Sequence, residues 1–264
     1  MLDDVTPRAY FTRLNDHQFR ATEHVSGAWT TTEQHVSPAL GLLAHAIEVH
    51  RDARRDDQLP LARLSYDIFG TIPIDVVDIE VEVVRPGSTI ELVEARLRYA
   101  GRVALVLRAW PMKRYETTAF AAAPLGNIEP PDRMAPWDPS TFWPGGFVSS
   151  VEVRRAEQEP GRAVFWLRTS VVLVDGEPVS DLARAVGLFD MANGVTPRVA
   201  SSQLAFPNVD LTAHLFEAPR GEWLGFDTSV NFGANGIGLT HSTIHDLRGP
   251  VGTIAQCLTL RPRG

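Results

Sequence analysis

Apolar residues recur along the chain in two distinct rhythms. Leu40, Leu43, Ala44 and Ile47 return at helical spacing and draw one apolar stripe. Ser37 just before them suits a helix cap, and Pro38 suits a first turn. After this helix the period drops to two. In DIEVEVV, Ile79, Val81 and Val83 alternate with acids. Pro86-Gly87 turns the chain, and Val93, Ala95, Leu97 and Tyr99 alternate again. Ala100-Gly101 makes a second turn before the strand VALVLRAW.

The same order returns further on. GFVSSVEVRRAE and AVFWLRTSVVLV read as strands, closed by a tight turn at Asp175-Gly176. A second helix is predicted from Asp181 to Asn193, with Leu182, Val186 and Phe189 as its stripe and Gly194 as a left-handed cap. Strands resume near Val209. Between the two units, Pro124, Pro130, Pro131, Pro136, Pro139 and Pro144 exclude helix and central strand. The predicted division is residues 1–115, a Pro-rich linker at 116–144, and residues 145–264.

The two units can be laid over one another. SYDIFGTIPID matches NVDLTAHLFEA with Asp67 on Asp210, and GRVALVLR matches GPVGTIAQ with Arg108 on Gln256, at nearly equal offsets. Each unit is an antiparallel sheet against one helix, a stable two-layer arrangement. Pairing the two edge to edge would give one long sheet with both helices on a face. The expected class is α+β.

Bulk properties narrow the function. Of 264 residues, 44% are hydrophobic and 22% charged, and the net charge is −7. An acidic balance gives no support for nucleic-acid binding. The single cysteine, Cys257, cannot form an internal disulfide, which fits a reducing compartment. It sits in a strand pattern and reads as a small core residue. The start, MLDDVTPRAYF, lacks the basic and apolar regions of a signal peptide, and no stretch reaches about 20 apolar residues. A cytoplasmic protein with no membrane partner is expected.

The segments LARLSYDIFGTIPID, LARAVGLFDMANG, FPNVDLTAHLFEAPRGEWLGF and TIAQCLTL, in that order, resemble the double-hotdog acyl-CoA thioesterases of the thioesterase II-like group. That resemblance implies a tandem double hotdog and an acyl-CoA substrate. It implies an Asp on the second-half helix that activates water, here Asp190. It also implies a hydroxyl before the next strand, where this chain has Asn208, and a late Gln, here Gln256. An amide at position 208 can still donate and accept hydrogen bonds. The first half resembles a degenerate copy, with Ala44 or His45 near the Asp position and Arg108 at the Gln position. A structural or substrate-binding role is expected there.

Thioester hydrolysis needs an activated water, a stabilised oxyanion and a leaving thiolate. Asp190 would act as general base, or as direct nucleophile in the second option. Its place between Phe189 and Met191 predicts burial and a raised pKa. The hydrogen bonds of Asn208 and Gln256 would hold the water. Medium or long acyl chains are expected. Phe142, Trp143, Trp166, Trp223 and Phe226 could line the acyl pocket, though core packing is the plainer role. Asp67 and Asp210 read as turn or strand-start residues.

Other chemistry is discounted. His45, Glu48 and His50 have the wrong spacing for a metal face, so no metal and no cofactor is expected. GANGIG has no dinucleotide spacing, and there is no G-x-S-x-G elbow. A hotdog hydratase would need His five residues after the Asp, where Val195 stands. A non-catalytic acyl-CoA-binding double hotdog is the alternative, favoured by Asn208. Exposed sheet edges would suit a homo-oligomer.

Overall fold

The computed structural model describes residues 8–156 and 159–263. The first seven positions, part of the stretch read for a signal peptide, lie outside them, as do 157, 158 and 264.

The first half holds β1 (Ala9–Arg13), β2 (Gln18–Ala21), α1 (Val36–Asp52), β3 (Leu61–Ile68), β4 (Val76–Arg85), β5 (Leu92–Tyr99) and β6 (Arg102–Pro111). In the second are β7 (Ala135–Trp137), α2 (Gly146–Ser149), β8 (Val151–Ala156), β9 (Arg162–Thr169) and β10 (Val172–Val174). Then come α3 (Asp181–Val186), α4 (Met191–Val195), β11 (Leu204–Ala205), β12 (Asp210–Leu215), β13 (Leu224–Phe232), β14 (Ile237–Asp246), β15 (Gly249–Thr259) and β16 (Arg261–Pro262). Strands β7 and β8 show that the Pro-rich stretch contributes to the sheet as well as linking the halves.

Among the described residues, fourteen strands form one sheet in the order β10-β1-β2-β4-β5-β6-β3-β12-β15-β14-β13-β9-β8-β7. The alternating patterns read from sequence produce it. Ala95, Leu97, Val93 and Ile79 are buried on its inner face while Glu80 and Glu82 are exposed on the other side of the pleat. Ala100, at φ 48°, and Gly101, at φ 78°, form the primed hairpin turn between β5 and β6, whose twist suits the flanking strands. The halves join where β3 runs antiparallel to β12, with Asp67 opposite Asp210. The two segments that match in sequence therefore meet across the middle of the sheet. A second junction pairs β1 with β10 in parallel. Because β9 and β10 are nearly consecutive in the chain yet lie far apart in strand order, the sheet curls around its helices.

Helix α1 is buried along Leu40, Leu43, Ala44 and Ile47 and packs on β4, β5 and β6. Its start differs from expectation. Val36 is already helical, and His35 is the cap, its Nδ1 accepting from the Ser37 N–H at 3.2 Å. Ser37 lies one turn-position inside and its hydroxyl serves elsewhere. Pro38 does fall in the first turn.

The second predicted helix is broken in two. Ser180 caps α3, its Oγ accepting from the Ala183 N–H at 3.0 Å. Past Val186 the backbone tightens to i→i+3 bonds: Leu188 N–H to Ala185 O, Phe189 N–H to Val186 O and Met191 N–H to Leu188 O. Helix α4 then restarts after Asp190. Gly194 lies inside α4 and is not a left-handed cap; Thr196 ends that helix. Cys257 also departs from expectation. It is on β15, but on the exposed face.

The described residues include no helix long and apolar enough to cross a membrane.

Candidate active site

The break between α3 and α4 fixes Asp190. Its backbone N–H donates to Ser37 Oγ at 3.3 Å, so the residue read as a helix cap instead ties the start of α1 to this break. The Asp190 side chain is 9% exposed. Its Oδ1 accepts two amide hydrogen bonds, from Asn208 Nδ2 at 2.8 Å and from Gln256 Nε2 at 2.7 Å.

Each partner is held by its own element. Gln256 is fully buried on β15 and stands opposite Thr240 of β14. Asn208 lies just before β12, bridged to Leu258 across the strands, and its Nδ2 also donates to Asp210 O at 3.1 Å. Asp210 starts β12, and its Oδ1 accepts from the Cys257 N–H at 2.6 Å. It thus anchors the strand start, as expected, next to the residue that matters. The three predicted site residues are brought together in one place.

His35 was not foreseen. Its Nδ1 lies 3.7 Å from Asp190 Oδ2. That nitrogen already accepts from the Ser37 N–H, so it carries no proton, and burial pushes the imidazole down to about 3. His35 therefore stays neutral beside the carboxyl and supplies no charge to it. Burial pushes the Asp190 carboxyl up to about 7, against the opposing pull of the Asn208 and Gln256 amides. The only sequence signal for His35 was its position immediately before the helix start.

Two cavities meet at Asp190. The wider one, about 490 Å³, runs between Ile68–Ile72, Gly27–Val36 and Ala205–Val209, with Arg261 and Arg263 at its rim. The smaller, about 40 Å³, is lined by Trp29, Trp143, Met191, Phe206 and Val148. Both are bordered by Ala28, Trp29, His35, Asp190 and Asn208.

Of the five aromatics singled out, Trp143 lines the small cavity. Trp166 and Phe226 are core, the latter stacked on Phe165 at 4.9 Å. Phe142 is 55% exposed, and Trp223 lies under the Arg168 guanidinium.

In the first half, the positions matching Asp190 and Gln256 do different work. His45 Nε2 lies 3.0 Å from Glu177 Oε2, and Arg108 donates to Glu94 at 2.7 Å. Glu48 accepts from Ser180 Oγ. The His45 and Glu48 contacts knit α1 to the second half, while Arg108–Glu94 ties β6 to β5.

The family model for the acyl-CoA thioesterase C-terminal domain matches residues 128–260, half of the chain, and that for the N-terminal domain matches residues 25–112. Among curated proteins, no sequence matches. Several solved structures share the fold. One is a conserved protein of unknown function with a hot dog fold from Alicyclobacillus acidocaldarius, 14% identical, covering 96% of each chain at a TM-score of 0.73. Others are the acyl-CoA thioesterase II TesB2 of Mycobacterium marinum, 16% identical over 96% of each chain at 0.68, and the tesB protein of Mycobacterium avium subs paratuberculosis, 16% over 96% of each at 0.64. The architecture is the α+β double hotdog expected from the sequence.

Proposed function

The chain belongs to the acyl-CoA thioesterase family, and from that premise we propose that it hydrolyses the thioester of a fatty acyl-CoA with a water activated by Asp190. The observation that carries this reading is the buried Asp190 carboxyl, held on one oxygen by two amides and open on the other to a cavity.

The chemistry follows from that asymmetry. Asn208 and Gln256 fix Oδ1, which leaves Oδ2 to take a proton from water. A carboxyl near 7 is matched to this task at neutral pH, where it is partly ionised yet far more basic than an exposed one. The hydroxide oxygen bonds to the thioester carbon, and the carbonyl electrons move to oxygen. The start of α1 borders the same cavity through His35 and Val36. Of the first-turn N–H groups, that of Ser37 is taken by His35 Nδ1 and Pro38 has none. The Val36 N–H, at a helix end whose dipole favours negative charge, is therefore the group suited to the oxyanion. Collapse of the tetrahedral centre breaks the C–S bond. The departing thiolate, whose acid has a pKa near about 8.5, recovers the proton from Asp190. The products are a free acid and a thiol.

Thiol release from an acyl-CoA panel tests this. Asp190→Asn should lower kcat by at least about 100-fold, the usual worth of a positioned general base. Turnover unchanged in that variant would reject the assignment. Asn208 is the one feature that favours a non-catalytic acyl-CoA binder. Tight binding without turnover in the unaltered protein would select that second reading.

A further inference from the structure

We propose that His35 is a further catalytic residue, which as the neutral Nε2–H tautomer donates to the thioester carbonyl oxygen alongside the Val36 N–H. This inference rests on the hydrolase reading for its kinetic arm.

The fold sets the tautomer. His35 Nδ1 accepts the Ser37 N–H at 3.2 Å, so the one ring proton resides on Nε2. Nε2 itself makes no hydrogen bond among the described residues. Nor is it sealed in. The buried polar atoms without partners include Gln34 Oε1, Thr196 Oγ1 and Gln256 Oε1, but neither His35 Nε2 nor Asp190 Oδ2. Both atoms therefore reach open space, and both residues border the same two cavities. One space is thus met by an unpartnered acceptor and an unpartnered donor.

Their separation suits a carbonyl group. Nδ1 lies 3.7 Å from Asp190 Oδ2, and Nε2 lies further along the ring. A water on Oδ2 attacks the thioester carbon, whose oxygen stands one bond further on. That oxygen gains charge as the tetrahedral centre forms, so a donor aimed at it binds more strongly in the transition state than in the substrate. Neutrality matters here. An imidazolium this close would hold Asp190 ionised at a low pKa and weaken it as a base. Burial pushes His35 down to about 3, so the donor stays uncharged where Asp190 works, near 7.

The ring is held before substrate arrives. The His35 N–H donates to Val25 O at 2.7 Å, and its side chain is only 11% exposed. Phe147, fully buried, packs against the ring with centroids 4.5 Å apart. A donor fixed in this way needs no reorganisation during the reaction.

Two variants of the full chain separate this role from helix capping. Asn is among the best caps, so His35→Asn keeps an acceptor for the Ser37 N–H, but its amide is too short to reach the Nε2 position. His35→Gln has the longer amide, which can place an N–H there, and gives up the cap. Melting temperature is measured for both, with kcat and KM for the acyl-CoA hydrolysed fastest. His35→Asn should melt close to the unaltered protein yet lose about 100-fold or more in kcat with KM little changed, the usual worth of one such donor. His35→Gln should melt lower and recover part of that kcat. A further readout needs no turnover: the infrared C=O stretch of a bound ketone analogue of decanoyl-CoA, with CH2 in place of the thioester sulfur. Its frequency should be lower on the unaltered protein than on His35→Asn. An unchanged kcat in His35→Asn would overturn the proposal, as would a kcat that follows melting temperature across both variants. Equal C=O frequencies on the two proteins would overturn it as well. An unaltered protein that hydrolyses nothing, yet lowers the C=O frequency through His35, would overturn hydrolysis and leave the donor standing.

Discussion

At the scale of single residues, Asp190 is expensive to the fold and useful to the chemistry for one reason. Burial raises its carboxyl from an ordinary 3.8 to about 7, so the folded protein binds a proton there that the unfolded chain has released. Stability therefore falls as pH climbs from about 4 to 7 and is level above that. Asp190→Asn keeps an acceptor for Asn208 and Gln256 but has no charge to bury. The variant should melt higher than the unaltered protein at pH 8, by an amount on the order of 5 °C. That corresponds to about 2 kcal/mol or more. The gap should shrink to nothing near pH 4. His35, with its pKa pushed down to about 3, tilts stability the other way between about 3 and 6.5. It does so in both proteins, so the difference isolates Asp190. Turnover should rise tenfold per pH unit below 7 and level off above it. Melting curves from pH 4 to 8 that run parallel for the two proteins would show that the carboxyl is not held up by burial.

At the scale of elements, the crossing of α1 and α3 places the site. Gly41 sits where the helices touch: a Cβ there would lie 2.8 Å from Ala183 O and 2.9 Å from Gly187 Cα. Both are backbone atoms and cannot swing aside. Ala is favoured over Gly within a helix by about 1 kcal/mol. Forcing the helices apart costs typically about 1–3 kcal/mol. Gly41→Ala should therefore lower the urea midpoint, and it should lower turnover too, because Asp190 follows Gly187 by one short turn. A raised midpoint would mean that the contact is slack.

This crossing also explains what was legible in the sequence. The stripes of α1 and the alternation of β4, β5 and β6 are local patterns, and the strands appear where they were read. Asp190, Asn208 and Gln256 were found through a resemblance in ordered segments, since nothing local distinguishes a buried Asp from a solvated one. The break after Val186 was not legible. Leu182, Val186 and Phe189 keep a helical stripe through it, and the tightening begins where Gly41 of α1 comes up against Ala183 and Gly187, a contact distant in sequence. The capping role of His35 was hidden for a similar reason. Ser37 is the better local cap, but its hydroxyl is taken by the Asp190 N–H, a partner 153 positions away. Cys257 was misplaced because alternation shows that faces differ, not which one is wet.

At the scale of the whole molecule, the halves hold each other at two seams, β3 with β12 and β1 with β10. The covalent link between them should then be dispensable once folding is complete. Residues 112–127 are exposed and include Lys113 and Arg114. Brief trypsin treatment should cut there, and both fragments should leave a gel-filtration column together with turnover retained. Separation of the fragments would count against the proposed division into 1–115 and 145–264 around 116–144.

The ends of the sheet carry a consequence for company. Among the described residues its outermost strands, β7 and β10, are three residues long, and β7 contains Pro136. Such stubs give a foreign strand almost nothing to zip onto, and proline withholds a donor. A partnership between copies would have to be built from side chains on the broad flanks. Crowding alone should not string these molecules into fibres.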